Sequence, residues 1–87
     1  MKLKFEVVVV LKEGLLDPQG KAVQDALPTL GWSNVSDVRV GKSIFLTVES
    51  DSPAAAEEQV ADMSVKFLSN PVIERFWVRQ LTSEESR

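Results

Sequence analysis

Apolar and polar residues alternate along the amino-terminal stretch of the chain. Every second position from residue 3 to residue 11 is apolar: Leu3, Phe5, Val7, Val9 and Leu11. The positions between them are charged at first and then become Val8 and Val10. Because successive side chains of a strand point to opposite faces, this pattern predicts a strand over residues 2–12. The strand should be half-buried at its start and buried on both faces later, which favours a central position in a sheet.

A helix is predicted to begin after Asp17. An aspartate can accept the free N–H groups of a first helical turn, and the fixed φ of Pro18 suits the first helical position. Apolar residues then recur at helical spacing and should face the sheet: Val23, Ala26, Leu27 and Leu30. Pro28 disfavours helical geometry at the residue before it, so the helix should kink or loosen there and stop by Gly31.

A hairpin is predicted in the middle of the chain. Val38 and Val40 alternate with charged residues, Gly41 and Lys42 supply a turn, and a second strand then places Ile44, Leu46 and Val48 on one face. Val35 has the wrong parity for the first strand, which indicates a bulge near Ser36 or a strand that begins only at Asp37.

A second helix is predicted from a Ser52 cap to about residue 69. Its apolar arc should consist of Ala56, Val60, Met63 and Phe67. Asn70 and Pro71 end it, and a last strand follows over roughly residues 72–81. Residues 82–87 are polar and are expected to fray.

The order β-α-β-β-α-β predicts an α+β fold of the ferredoxin-like type, with a single domain over residues 1–81. Right-handed crossovers arrange this order as a four-stranded antiparallel sheet with both helices on one face. The helix-free face would carry Val8, Val10, Phe45 and Trp77. Small monomers rarely expose so much contiguous apolar surface, so this face is predicted to mediate self-association into a dimer or higher oligomer.

Composition argues against several function classes. The chain has 87 residues and contains no cysteine, no histidine and no tyrosine, so it lacks thiol nucleophiles and the commonest general base and zinc ligand. The net charge is -3 and the basic residues are scattered, which disfavours nucleic acid as a partner. The amino-terminal apolar run is interrupted by charges and is too short to span a membrane, so a cytoplasmic location is expected.

Three local patterns have ordinary structural explanations. The segment 17–20 could offer backbone N–H groups to an anion, but a plain helix cap is favoured because Asp17 would repel one. Gly41 and Lys42 lack the glycine-rich run of a phosphate loop, so a turn that needs positive φ at glycine is favoured. Lys12 and Glu13, like the pair Asp37 and Arg39, are typical of solvated charges on strand edges. The alternative, in an associating protein, is that they set the register with a partner.

Three segments together resemble a known family. Lys12 and Glu13 with the run DPQG at residues 17–20, the run VSDVRVGK at residues 35–42, and the run NPVIE at residues 70–74 closely resemble the signature segments of the PurS family. The likeness extends from the first strand through the last, and the middle segment is the most specific. Pro28 and the tail after Leu81 depart from the family pattern.

The resemblance implies a small subunit of phosphoribosylformylglycinamidine synthase without an active site of its own. In that family a glutaminase subunit releases ammonia, and a large subunit uses ATP and Mg to drive amidine formation. Homodimers of the small subunit are held to dock these two partners so that ammonia passes between them. The docking surface is then expected to be formed by Lys12, Glu13, Asp17, Gln19, Gly20, Arg39, Gly41 and Lys42.

Two other function classes fit the same fold. Dimers with this element order also bind small molecules between subunits, so a regulatory module is the main alternative. A sheet that stacks RNA bases is a third, but such sheets need aromatic residues on the central strands together with positive charge. Here the central strands offer Val8, Val10 and Phe45 on an acidic chain.

Overall fold

The computed structural model describes residues 1–82 as three strands and two helices. The strands are β1 (Lys2–Leu11), β2 (Lys42–Glu49) and β3 (Glu74–Gln80), and the helices are α1 (Pro18–Ala26) and α2 (Pro53–Met63). A 3₁₀ helix at Pro28–Leu30 follows α1, and a π-helical segment at Ser64–Leu68 follows α2. The strands form one antiparallel sheet in the order β2-β1-β3. The central position predicted for β1 is confirmed.

The core lies on one face of this sheet, under α2. Alternation along β1 places Phe5, Val7 and Val9 there, each almost completely buried. Val48 of β2 and two residues of α2, Ala56 and Val60, complete the buried apolar set. Since β1 pairs with both other strands, its odd-numbered side chains occupy the middle of the core. The predicted faces of β1 and β2 are therefore confirmed.

Both predicted helix starts are confirmed. The Asp17 carboxylate accepts a hydrogen bond from the Gly20 N–H, and Ser52 Oγ accepts one from the Ala55 N–H. Proline occupies the first position of each helix, where its missing N–H has no intrahelical acceptor to satisfy. At its other end α1 stops before Pro28, and Gly31 at φ 107° closes the 3₁₀ turn. The break predicted at Pro28 is therefore present.

The predicted central hairpin is wrong for this protomer. Residues 35–41 belong to no strand, so the sheet has three strands where four were expected. Gly41 does not have positive φ; the left-handed residue of this segment is Asp37, at φ 56°. Gly41 instead allows a close approach, since a Cβ there would lie 2.5 Å from the Val9 carbonyl oxygen. The chain therefore continues past the end of β1 and does not fold back along β2.

The helices also differ from the prediction that both cover one face of the sheet. α2 packs across β1 and β3, whereas α1 has no comparable packing against any strand among the described residues. The apolar stripe predicted to face the sheet stays largely open, and Leu30 is 67% exposed. The N–H groups of Val38 and Val40 instead donate to Gln24 and Asp17, which joins α1 to the segment that follows it.

The end of the second helix changes the position of Phe67. The π-helical segment puts more residues into each turn than an α-helix does, which rotates the side chains after Met63. Ser64 is buried there, and its Oγ donates to the Val60 carbonyl at 2.8 Å. Phe67, predicted on the apolar arc, is 86% exposed. The prediction from α-helical periodicity that Phe67 faces the core is therefore wrong, because the last turn is not α-helical.

Two further predictions concern the ends of the chain and the membrane. The last strand is confirmed, although it begins two residues later and ends one residue earlier than predicted. The later start reflects a turn at residues 71–73 before Glu74.

Of the polar tail at residues 82–87, only Thr82 is described, and the rest lies outside the described residues. Over residues 1–82 the structure contains no helix long and apolar enough to cross a bilayer.

Candidate functional site

Three segments that are distant in sequence meet at the end of β1. The Lys12 N–H donates to the Ile73 carbonyl at 2.9 Å, which joins the start of the β1–α1 loop to the turn before β3. The segment at residues 38–41 reaches the same loop through Asp17 and Arg39. Parts of all three segments that resemble the PurS signature therefore converge at one end of the sheet. We call this region the convergence site, formed by residues 11–20, 38–42 and 70–75.

Asp17 forms the centre of the convergence site. One carboxylate oxygen accepts from the Gly20 N–H at 2.9 Å, and the other accepts from the Val40 N–H at 2.8 Å. The side chain is buried, with 7% of the residue exposed. Hydrogen bonds from Gly20 and Val40, reinforced by the positive charge of Arg39, lower the pKa of the Asp17 carboxyl against the opposing effect of burial. Asp17 is therefore an ionised structural acceptor.

Arg39 organises the loop between β1 and α1. Its Nη1 donates to the Leu15 carbonyl at 3.1 Å, and its Nη2 donates to the carbonyls of Leu11 and Lys12 at 3.3 and 3.0 Å. A guanidinium presents several donors in a fixed plane, so one side chain can hold several carbonyl groups together. The sequence predicted that Arg39 lies on a strand. In the structure it lies outside the sheet, and its side chain holds the β1–α1 loop together through these hydrogen bonds.

Gly20 brings α1 against the 38–40 segment. A Cβ at Gly20 would collide with the Val38 carbonyl oxygen and would crowd the Asp17 carboxylate. One helical turn later, Gln24 Oε1 accepts from the Val38 N–H at 3.4 Å. Gln24 was not among the predicted site residues. The signal that could have identified it is its spacing, since Gly20 and Gln24 lie four residues apart on one helix face.

The remaining predicted docking residues lie around a shallow cleft or at its margin. Gln19, Gly41 and Lys42 line a cleft of about 320 Å³ together with Asp17 and with Glu74, which sequence reasoning had not placed in a site. Glu13 lies outside this cleft, with its carboxylate 4.0 Å from the Arg75 guanidinium. Lys12 contributes its backbone N–H and C=O groups. The predicted set therefore shares one end of the molecule.

The helix-free face of the sheet forms a second region. Strand register places Val8 beside Trp77 and Val10 beside Arg75, while Phe45 lies opposite Glu6. Phe45 is 65% exposed, and the Arg75 guanidinium lies 5.1 Å from the centroid of the Trp77 ring. Glu6 pairs with Arg79 at 2.8 Å and accepts from Ser43 Oγ at 2.7 Å. The face therefore mixes exposed aromatic rings with paired charges.

The central side chains of the convergence site are engaged by the protein's own backbone. Within residues 1–82, no cluster of three or more potential metal-binding side chains is placed to hold an ion. The carboxylate of Asp17 and the guanidinium of Arg39 are both occupied by backbone groups. What the convergence site offers is a fixed arrangement of loops with charges of both signs at the surface, which suits recognition of another protein.

Comparison with known proteins gives consistent matches across nearly the whole chain. The family model PurS, described as phosphoribosylformylglycinamidine (FGAM) synthase, matches residues 4–81. The PurS subunit of phosphoribosylformylglycinamidine synthase from Bacillus subtilis is 43% identical over 83 residues, covering 93% of this chain and 98% of the relative. The crystal structure of the purS subunit from Thermotoga maritima aligns with a TM-score of 0.86 at 33% identity, covering 93% of both chains. A chain of the PurLQS structure from Thermotoga maritima aligns with a TM-score of 0.85 at 33% identity, covering 93% of this chain and 99% of that one.

Proposed function

This chain belongs to the PurS family, and we propose that it is the non-catalytic small subunit of phosphoribosylformylglycinamidine synthase in de novo purine biosynthesis. It docks the glutaminase subunit to the ATP-dependent synthetase subunit and so supports the transfer of ammonia between them. The observation that carries this proposal is the convergence of the three signature segments at one end of the sheet. A similar chain in the PurLQS structure supports the assignment to such a complex.

The composition of this chain agrees with the division of labour that the resemblance to the PurS family implies. Glutamine hydrolysis by a glutaminase needs an activated nucleophile, and a chain without cysteine or histidine is poorly equipped to provide one. In this proposal, as the resemblance implies, glutamine, ATP and Mg are used on the partner subunits. The contribution of this chain is to hold the glutaminase and synthetase subunits in a fixed position relative to each other.

Docking is assigned to the rim of the convergence site. Asp17, Gly20, Arg39 and Gly41 fix the backbone, whereas the exposed side chains of Lys12, Glu13, Gln19 and Lys42 stand around it. Rim charges of both signs favour one orientation of a partner over others, because like charges brought together are costly. The clamped loops supply rigidity, which reduces the entropy lost on binding.

Self-association is assigned to the helix-free face. Val8, Val10, Phe45 and Trp77 supply its apolar part, and the Glu6–Arg79 pair lies among them. Paired charges within an apolar interface restrict its register.

Reconstitution of the synthase tests this function. The chain is mixed with the purified glutaminase and synthetase subunits, and amidine formation is measured with glutamine and with ammonium salt as nitrogen donors. Omitting the chain should abolish most glutamine-dependent synthesis and leave ammonia-dependent synthesis largely intact. Equal glutamine-dependent rates with and without the chain would overturn the proposal. In that case, a Tm raised by an amino acid or nucleotide would favour the regulatory module.

A further inference from the structure

The cleft of the convergence site continues the core face of the sheet beyond α2. Val7 and Val9 are buried in the core that α2 covers, whereas Leu11, the next residue on that face, is only partly buried. The cleft opens at this point and has a volume of about 320 Å³, at the lower end of the range of about 300–1,000 Å³ that small-molecule sites occupy. The apolar part of its exposed wall consists of Val10, Leu11, Pro18 and Val40. A cleft of this size and lining suits a small metabolite.

Two opposite charges flank the cleft on the same face of the sheet. Strand register pairs Lys42 of β2 with Val9, and Glu74 of β3 with Leu11. Residues that lie opposite each other on paired strands share a face, so Lys42 and Glu74 stand on either side of β1 with their backbones about 10 Å apart across the sheet. Within residues 1–82 neither of them forms an ion pair. A ligand between them can therefore meet both charges.

The polar groups of the cleft are held in place before any ligand arrives. Glu74 Oε1 accepts from the Asn70 N–H at 2.7 Å, which orients the carboxylate and leaves Oε2 as a free acceptor. The bond from the Val40 N–H to Asp17 fixes the wall formed by residues 40 and 41. The side-chain amide of Gln19 lines the cleft and bonds to no group in the described part of the chain. Preformed walls reduce the entropy that a ligand loses on binding.

The balance of charges selects the class of ligand. One ammonium, that of Lys42, faces two carboxylates, those of Asp17 and Glu74. The excess of negative charge disfavours phosphate groups and other anions, whereas a simple cation would be repelled by Lys42. A zwitterion carries one charge for each side of the cleft. An α-amino acid is the smallest common metabolite of this kind, and the apolar wall favours an aliphatic side chain on it.

We infer that the cleft binds a free α-amino acid with an aliphatic side chain. The ligand's ammonium donates to Glu74, its carboxylate accepts from Lys42 and from the Gln19 amide, and its side chain packs against Pro18 and Val40. The inference goes beyond the proposed function, which gives this chain no ligand. It also differs from the alternative regulatory module, because the site lies within a single copy of the chain.

An NMR titration of the isotopically labelled full chain with L-leucine near neutral pH tests the binding. L-leucine should bind with a dissociation constant of about 1 mM, as expected for so few atoms. Two analogues each lack one of the charges: L-leucinamide keeps the ammonium, and N-acetyl-L-leucine keeps the carboxylate. Each should bind roughly tenfold more weakly, because one charged hydrogen bond is lost. Equal binding of either analogue would overturn the inference, as would the absence of binding at about 10 mM L-leucine.

The same spectra locate the site. The largest shift changes should fall on the backbone amides that line the cleft, in residues 9–11, 40–42 and at Gln19 and Glu74. Shift changes centred on α2 or on the helix-free face would place L-leucine elsewhere and would overturn the inference.

Two substitutions remove the charges one at a time. Lys42→Met and Glu74→Gln should each raise the dissociation constant of L-leucine roughly tenfold. Glutamine at position 74 keeps an oxygen for the Asn70 N–H, so the turn before β3 is preserved. Lys2→Met and Glu57→Gln are the matched controls, since both residues are exposed and lie outside the cleft. They should leave the constant unchanged. Unchanged binding by Lys42→Met and Glu74→Gln would overturn the inference.

These outcomes are separable from the proposed function. The titrations use this chain alone, whereas docking is measured by reconstitution with the glutaminase and synthetase subunits. A chain that supports glutamine-dependent synthesis without binding L-leucine would overturn only the inference. A chain that binds L-leucine in the cleft without supporting synthesis would overturn only the proposed function.

Discussion

The Asp17 carboxylate accepts a hydrogen bond from the Val40 N–H at 2.8 Å, although 23 residues separate the two. Its second oxygen caps α1 through Gly20. One carboxylate therefore caps the start of the helix and also binds the backbone of residue 40, in the segment that passes beside it. This relationship explains why residues 38–40 run along the end of β1 instead of pairing with β2.

Asp17→Asn should destabilise the fold in a pH-dependent manner. The amide oxygen can still cap Gly20, but its nitrogen cannot accept from the Val40 N–H. Because the pKa of Asp17 is lowered in the folded state, its stabilisation is fully present above the ordinary value of 3.8 and is lost as the pH falls through the folded-state pKa. The Tm of the variant should lie several degrees below that of the wild type near neutral pH. The gap should narrow below about pH 4.

Thermal unfolding followed by circular dichroism from about pH 7 to about pH 3 measures this gap. Asp25→Asn is the matched control, since Asp25 lies exposed on the same helix and pairs only at the surface with Lys21. Its Tm should change little at either pH. A gap for Asp17→Asn that did not vary with pH would contradict the assigned role.

Gly20→Ala should lower the stability of the protein despite improving helix propensity. Alanine is favoured over glycine by about 1 kcal/mol inside a helix. Here the added Cβ would collide with the Val38 carbonyl oxygen, which belongs to the backbone and cannot rotate away. Overpacking of this kind costs about 1–3 kcal/mol, so a net loss is expected in the free energy of unfolding measured with urea.

Lys21→Ala, on the same helix, provides the comparison. It removes an exposed i,i+4 pair with Asp25 and should change the free energy of unfolding by no more than about 0.5 kcal/mol. Stabilisation by Gly20→Ala would show that α1 does not lie as close to residue 38 as described.

Phe5→Ala and Phe67→Ala should differ sharply. Phe5 is fully buried at the centre of the core, so its truncation should cost about 3–5 kcal/mol and leave little folded protein in urea titrations. Phe67 is 86% exposed after the π-helical segment, and its truncation should change stability by no more than about 0.5 kcal/mol. A large loss for Phe67→Ala at matched protein concentration would place that ring in a contact absent from the protomer.

Arg39→Lys should impair the synthase nearly as much as Arg39→Glu does. Lysine keeps the charge, but a single ammonium cannot reproduce the planar set of bonds to Leu11, Lys12 and Leu15. Glutamine-dependent synthesis by the reconstituted complex should fall several-fold for both variants, with ammonia-dependent synthesis and dimer formation retained. Full activity of Arg39→Lys would show that charge alone matters at this position.

Local sequence signals determined the start of each helix and the faces of the strands. Asp17 with Pro18 and Ser52 with Pro53 act within one helical turn, so their effect needs no tertiary context. The alternation along β1 is equally local, and it identified Phe5, Val7 and Val9 as core residues. Proline at position 28 likewise ended α1 through its own geometry.

Tertiary structure decided the path of residues 35–41 and the placement of α1. The alternation of Val38 and Val40 is compatible with a strand, but the Asp17 carboxylate and the carbonyls held by Arg39 attract the same backbone to the end of β1. These contacts join residues more than twenty positions apart, so no local pattern contains them. The signature residues therefore identified the family, whereas only the fold showed that Arg39 and Asp17 build the loops around which the proposed docking residues stand.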